Sequence, residues 1–286
     1  MGALRATPRL YYPETRLLIR ERERMSTGDL SRMGAAAVVL NTRDSHHHYI
    51  EKCPVGDVEY HFYHDAAAAL NQAGIATPAL LSADATRRAL RLEYIPHPVD
   101  QAAVASDDAL AMLARLHRYP AHSAWRYHTH AWSEAALEKS LSLLALPAKS
   151  AQQLRRFQQQ SDALFDYPSL VSGDSNAGNW GRRENGDVVL FDWERFGKGS
   201  PAIDLAPLIK GMGTKQAMLS LAERYGQIAH HPNPPALARE IAIAKAWIVT
   251  EVIVLLHERQ KAEFPLYRDW YRAHLPDGLA TLITML

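Results

Sequence analysis

Residues 170–205 read LVSGDSNAGNWGRRENGDVVLFDWERFGKGSPAIDL, and the order of their apolar, acidic and glycine positions decides the fold. A short strand, Ser169 to Ser172, runs into a tight loop that carries Asp174. Asn179 follows as the chain enters a second strand, Trp180 to Arg182. Asn185-Gly186 then signals a hairpin, because both residues tolerate positive φ. The return strand, Val188 to Phe191, ends at Asp192. This hairpin brings the Asn179 amide and the Asp192 carboxylate together, and such a pair can share a hard, oxygen-seeking cation such as Mg²⁺. An acid at the end of an apolar strand needs a partner or an ion. Asp174, just outside the pair, is free to accept a proton from a hydroxyl nucleophile or to orient it.

Upstream, most of the strand signals fall before Pro98. Ala35 to Leu40 and His48 to Cys53 flank the turn formers of Asn41 to Ser45 and predict a hairpin. A helix is expected over Asp57 to Ala73, closed by Gly74, with two short strands bracketing Ala83 to Thr86, the second Ala89 to Ile95. Downstream the chain turns helical. Ser106 caps Asp107 to His117, and further helices are expected at Ser133 to Leu144, Ser150 to Leu164, Ile203 to Lys210, Lys215 to Ala229 and Pro234 to Lys261. A terminal helix is expected from about Pro276.

Composition narrows the function. Lys plus Arg total 32 against 31 for Asp plus Glu, which gives no electrostatic reason to expect nucleic acid or an anionic membrane as partner. The single cysteine, Cys53, suits a reducing compartment. The first residues lack the apolar core of a signal peptide, and no apolar run reaches the roughly 20 residues that span a bilayer. A cytoplasmic protein is the expectation.

The motifs resemble those of the aminoglycoside phosphotransferase and choline kinase-like family, which shares the protein-kinase fold. The family's H-G-D-x-x-x-x-N loop is matched by Ser172-Gly173-Asp174 through Asn179, and its I-D-[WFL]-E strand end by Phe191-Asp192-Trp193-Glu194. Its G-x-P-x-x-D-L-A segment is matched by Gly199 to Ala206, and its L-A-x-L-H helix end by Leu113 to His117. The resemblance covers about Ala35 to Gly211. It implies an α+β, bilobal fold: a small β-rich N-lobe at residues 1–96 that binds nucleotide, and a larger, mostly helical C-lobe at 97–286 that binds the acceptor.

By the same resemblance, Asp174 is the catalytic residue, and Asn179 and Asp192 hold Mg²⁺. Lys52 contacts the phosphates of ATP and is tethered by Glu59, while Glu93 and Ile95 lie in the interlobe hinge whose backbone meets the adenine edge. Ser172 and Asp204 support the catalytic loop. The partner implied is a small molecule bearing a hydroxyl; the oligomeric state is left open. Phosphoryl transfer asks for positioning and charge neutralisation more than covalent chemistry, which suits this set.

Two departures stand out: Ser172 replaces the motif histidine, and only Gly28 and Gly34 stand where a glycine-rich loop is expected, in Ser26 to Gly34. The first supports the main alternative, a catalytically impaired, nucleotide-binding pseudokinase. Glu194 is placed between a metal-site acid and a surface residue. His46-His47-His48 reads as a solvated turn, and His117 as a buried structural residue. Trp247, Glu251, Glu258 and Trp270 are candidates for a cationic-amine site through carboxylate and cation–π contacts, with packing an equal account of the tryptophans.

Overall fold

The computed structural model describes residues 37–42 and 48–286. The expected phosphate loop, Ser26 to Gly34, and His46-His47 lie outside the described residues. The first hairpin forms as expected: β1 (Ala37–Thr42) pairs antiparallel with β2 (His48–Cys53), Val38 opposite Lys52. β3 (Leu80–Asp84) and β4 (Ala89–Glu93) complete a four-stranded sheet in the order β1-β2-β4-β3. Lys52 is the one buried side chain of β2, a position an apolar residue would ordinarily take.

Against this sheet lies the helix expected over Asp57 to Ala73. It is built as α1 (Asp57–His61), a π-helical turn (Phe62–Ala66) and α2 (Ala67–Gln72). Gly74 follows at φ +75°, where a side chain would be strained, and ends the helix. The helix buries Phe62, Tyr63, Ala66 and Leu70 in the core, and it buries the Glu59 carboxylate as well.

Past Glu93 the chain crosses into a second sheet. β5 (His97–Pro98), β7 (Trp180–Arg182) and β8 (Val188–Leu190) form it in the order β5-β7-β8. β6 (Leu170–Val171) pairs with β9 (Gly197–Lys198), a strand too short to be anticipated.

The rest is helical. Ser106 and Ser133 cap α3 (Asp107–Arg118) and α4 (Glu134–Leu144) by accepting from Ala109 N and Ala136 N. The helix expected from Ser150 to Leu164 divides into α5 (Ala148–Gln158) and α6 (Asp162–Phe165). That expected from Ile203 is only α7 (Ala202–Leu205), running into a 3₁₀ turn at Ala206–Leu208 that contains Pro207. Pro207 has no N–H to continue an α-helical ladder. α8 (Lys215–Ala229) and α9 (Pro234–Glu258) lie close to expectation. α9 is apolar around most of its girth because α4, α5, α7, α8 and the last helix all pack on it.

The last helix is the clearest correction. α10 runs Phe264–Leu282, twelve residues ahead of the expected start, with Pro276 inside it. Pro276 reads as a helix start because proline suits a first turn. Here Pro265 occupies that place, and the interior proline costs a single ladder bond within a helix held by buried Tyr267, Tyr271, Leu275 and Leu279.

Candidate active site

Strand β6 is fully buried and delivers the loop Ser172-Gly173-Asp174 onto Asp204. Asp204, with no exposed surface, accepts Ser172 N and Ser172 Oγ at 2.8 Å each and Gly173 N at 2.9 Å. Its second oxygen also meets the His117 ring at 3.1 Å, and that ring's other nitrogen lies 2.7 Å from the Tyr225 hydroxyl. Burial alone would raise this carboxyl, but the bonds from His117 and Ser172 outweigh it and hold Asp204 below its ordinary range. His117 is thus the buried structural residue expected. Asp204 and Ser172 meet where the motif spacing put them, and Ser172 uses both its backbone and its hydroxyl.

Asp174 is half-buried. Its Oδ1 accepts Asn176 Nδ2 at 2.7 Å, and its carbonyl accepts Asn179 Nδ2 at 2.8 Å. Burial pushes its pKa up to about 6, and the charge of Asp192 adds to the rise. Asn176 and Arg195 oppose it.

The β7–β8 hairpin brings Asn179 and Asp192 together as the Asn-Gly signal implied. Phe191 N donates to Asn179 O at 2.9 Å, and Trp180 stands opposite Leu190. Asp192 takes φ +66°, a left-handed conformation that aspartate tolerates better than most residues. Trp193 secures the turn, its indole N–H donating to Leu190 O at 2.9 Å and its ring stacking on Phe62 at 4.2 Å. With the Asn179 amide nitrogen donating to Asp174 O, its Oδ1 is the atom that can coordinate a cation. Together with the Asp192 carboxylate this makes a hard oxygen set that fits Mg²⁺.

Lys52 reaches this pair from the other sheet. Its Nζ lies 2.5 Å from Glu59 Oε1 and 3.0 Å from Asp192 Oδ1. Burial would depress the ammonium, but Asp192 and Glu59 overrule it and hold Lys52 above its ordinary value. Glu59 is itself lifted above the carboxylate range by burial, against the pull of Lys52. With two carboxylates at its Nζ, Lys52 keeps its charge.

Lys52, Asn179 and Asp192 form the polar end of a cleft whose apolar walls are Val38, Ile50, Leu92, Ile95 and Phe191. Glu93 also lines it, but its side chain faces elsewhere. It takes Arg183 in a forked ion pair at 2.7 and 2.8 Å and accepts Ala79 N at 3.0 Å. The Glu93 N–H is likewise spent, on Ala79 O. Ile95, two residues on, lines the cleft beside Glu93.

Several neighbours escaped the sequence reading. Arg183 anchors Glu93, Arg195 pairs with Glu251 at 2.8 Å, and His128 and His130 pack beside the Asp174 loop. None sits at a periodic or motif position, so no local signal marked them. Of the four residues considered for an amine site, Trp247 and Glu251 meet, but around Arg195, whose guanidinium lies 5.6 Å from the Trp247 ring and 2.8 Å from the Glu251 carboxylate. Glu258 pairs with Lys139 at the surface and Trp270 stacks on His274, so the four do not form one site. Trp247 is also a core residue, buried with its N–H on Ala131 O. Glu194 accepts from Arg259 at 3.5 Å, and its charge is felt by both Glu59 and Asp174.

Comparison with solved structures places the same architecture in several kinases. The chain superposes on a choline/ethanolamine kinase family protein from Mesorhizobium loti with a TM-score of 0.60 at 16% identity, covering 90% of this chain and 92% of that one. For the choline kinase LicA from Streptococcus pneumoniae the TM-score is 0.61 at 16% identity, with 92% and 98% covered. For the ternary complex of streptomycin, ATP and APH(2")-IIa it is 0.58 at 16% identity, with 95% and 98% covered. At these identities the likeness establishes the protein-kinase-like fold. No curated protein matches the chain in sequence. Residues 38–240, most of the chain and all of the site just described, match the phosphotransferase enzyme family as a sequence family. The chain belongs to the phosphotransferase enzyme family.

Proposed function

We propose that the chain transfers the γ-phosphoryl group of ATP to a hydroxyl of a small molecule, an antibiotic or an amino-alcohol-like metabolite. The observation that carries this reading is the contact of Lys52 with both Glu59 and Asp192 at the polar end of an apolar cleft. A flat base fits between the apolar walls, and a triphosphate extending past them meets Lys52 and the Asn179–Asp192 pair. Nucleotide then lies between an N-lobe of residues 1–96 and a C-lobe of 97–286. In this reading Lys52 binds phosphate, Glu59 holds Lys52 in place, and the hinge backbone at Glu93 and Ile95 meets the base. Asn179 and Asp192 hold Mg²⁺, which when bound supplies charge neutralisation on the phosphate oxygens. Asp174 orients the acceptor hydroxyl and takes its proton, and its raised pKa suits a base working near neutral pH.

The acceptor class follows from the family and from fold relatives described as choline kinases and aminoglycoside phosphotransferases. Among the described residues no helix is long and apolar enough to cross a membrane, which accords with a cytoplasmic enzyme.

The test is ADP release measured against a panel of aminoglycosides, choline, ethanolamine and thiamine, with thermal stabilisation by nucleotide followed in parallel. Acceptor-dependent ADP release supports transfer. Stabilisation by nucleotide with no release above background on any member favours the pseudokinase. Ser172 is the ground for that rival, and its bonds to Asp204 weaken it, since the loop is anchored without a histidine.

A further inference from the structure

His130 occupies an unusual position. Its ring is wedged between two glycines from separate segments, Gly173 of the Asp174 loop and Gly197 of β9. A Cβ built on Gly173 would stand 2.7 Å from His130 Cε1, and one on Gly197 would stand 2.8 Å from His130 Nε2. Backbone carbonyls crowd the same positions, Arg195 O against the Gly173 Cβ and His128 O at 2.5 Å from the Gly197 Cβ, so each glycine is closed in by the ring and by backbone together. The ring is 5% exposed and also packs edge-on against His128 at 4.8 Å and Trp247 at 5.7 Å.

This histidine does no polar work. Neither ring nitrogen has a hydrogen-bond partner of good geometry, although the Arg195 carbonyl lies close by. Burial, followed by the Arg195 charge, pushes its pKa down to about 3, so the ring is neutral at any working pH. A buried imidazole without good partners costs stability relative to an apolar group of the same shape. What remains is volume, set against Gly173 beside the Arg195 backbone. Asp204 holds the backbone of Ser172 and Gly173 by hydrogen bonds, and the His130 ring and the Arg195 carbonyl close on Gly173 where a side chain would stand.

We propose that His130 is a positioning residue: its ring braces Gly173 and so fixes the direction of Asp174. The role of Asp174 rests on the function proposed above, but the brace itself is a statement about the loop.

The experiment compares His130→Ala, His130→Phe and His130→Leu. For His130→Ala, kcat on the best acceptor should fall roughly ten- to hundredfold, as misplacement of a reacting group by about 1 Å does, with nucleotide Kd changed by less than about threefold. His130→Phe should restore kcat to within about threefold; if the larger ring overpacks the site, His130→Leu provides the same check. In an Asp174→Asn background the loss caused by His130→Ala should largely disappear, because the two act through one group. Amide hydrogen exchange at Gly173 and Asp174 should quicken about tenfold in His130→Ala and not in the apolar variants. A lowered Tm with unchanged kcat and unchanged loop exchange would reduce His130 to a core residue and overturn the proposal. Equal impairment of all three variants would assign the role to a ring nitrogen and overturn it as well. If the wild type turns over no acceptor, the functional reading fails, while the exchange experiment still decides the brace.

Discussion

Lys52 Nζ and Asp192 Oδ1 stand 3.0 Å apart although 140 residues separate them, and this contact joins the four-stranded sheet to the hairpin that ends the second one. It is closed on the other side by Glu59, a carboxylate with almost no exposed surface. Removing the lysine therefore does two things at once: it takes away the charge proposed to bind phosphate and strands a buried acid.

For Lys52→Met the expected outcome is loss of measurable transfer and a stability loss of about 3 kcal/mol, because breaking one side of a buried pair leaves the other uncompensated. Lys52→Met/Glu59→Gln should recover most of that stability and none of the activity. Denaturant unfolding and ADP release on the three proteins check this; equal stability of the single and double variants contradicts it.

Asp174→Asn keeps the shape of the side chain and removes its capacity as a base. We expect kcat to fall on the order of 10²- to 10⁴-fold with nucleotide affinity nearly unchanged. Steady-state kinetics and calorimetric titration with a non-hydrolysable ATP analogue measure the two quantities separately. Turnover near that of the wild type contradicts the role given to Asp174.

Asp204→Asn should destabilise the protein by about 3 kcal/mol, since an NH₂ group, itself a donor, takes the place of one accepting oxygen and leaves a donor of Ser172 or Gly173 without its acceptor. Activity should fall with stability, since the same bonds hold the loop. Ser172→Ala loses one of the four bonds and should cost about 1 kcal/mol. Thermal unfolding ranks the two.

Lys245 gives a pH signature. It is buried on α9 with its Nζ on the Ile209 carbonyl, and burial pulls its pKa from 10.5 to about 7. Between these values the unfolded chain holds a proton that the folded chain has released. Stability from this group therefore rises with pH across that window, by at most about 1.4 kcal/mol per pH unit. Below pH 7 the cost of burying the charge is present in full. Lys245→Met removes the slope, so its stability advantage over the wild type should be largest near pH 7 and shrink by pH 9. Urea unfolding at both values measures it, and an advantage independent of pH contradicts the assignment.

The meeting of the candidate site residues was more legible in the sequence than the shape of the molecule. Asp174, Asn179 and Asp192 were legible because a strand, an Asn-Gly turn and a return strand fix their meeting locally, and Lys52 and Glu59 because one strand and the next helix hold them. Glu93 was legible only as a hinge residue. Its ion pair with Arg183 spans 90 positions, and nothing in either neighbourhood announces the other. The same holds for His130, whose meaning depends on one glycine in the Asp174 loop and another in β9. Pro276 misled because a proline inside a helix and one at its start look alike until packing decides. Trp247 and Trp270 misled by composition: each has the chemistry of a binding residue and the surroundings of a core residue.

The Glu93–Arg183 bridge has a mechanical meaning too. Arg183 also donates to Thr77 O at 3.0 Å, and Leu190 N donates to Ala76 O at 3.1 Å, so the segment before β3, the end of β4 and the β7–β8 hairpin are stitched together at three points. A crossing strand alone would let the two halves of the molecule swing like pages on a spine. With these stitches the back of the cleft is a weld, and what freedom remains belongs to its mouth.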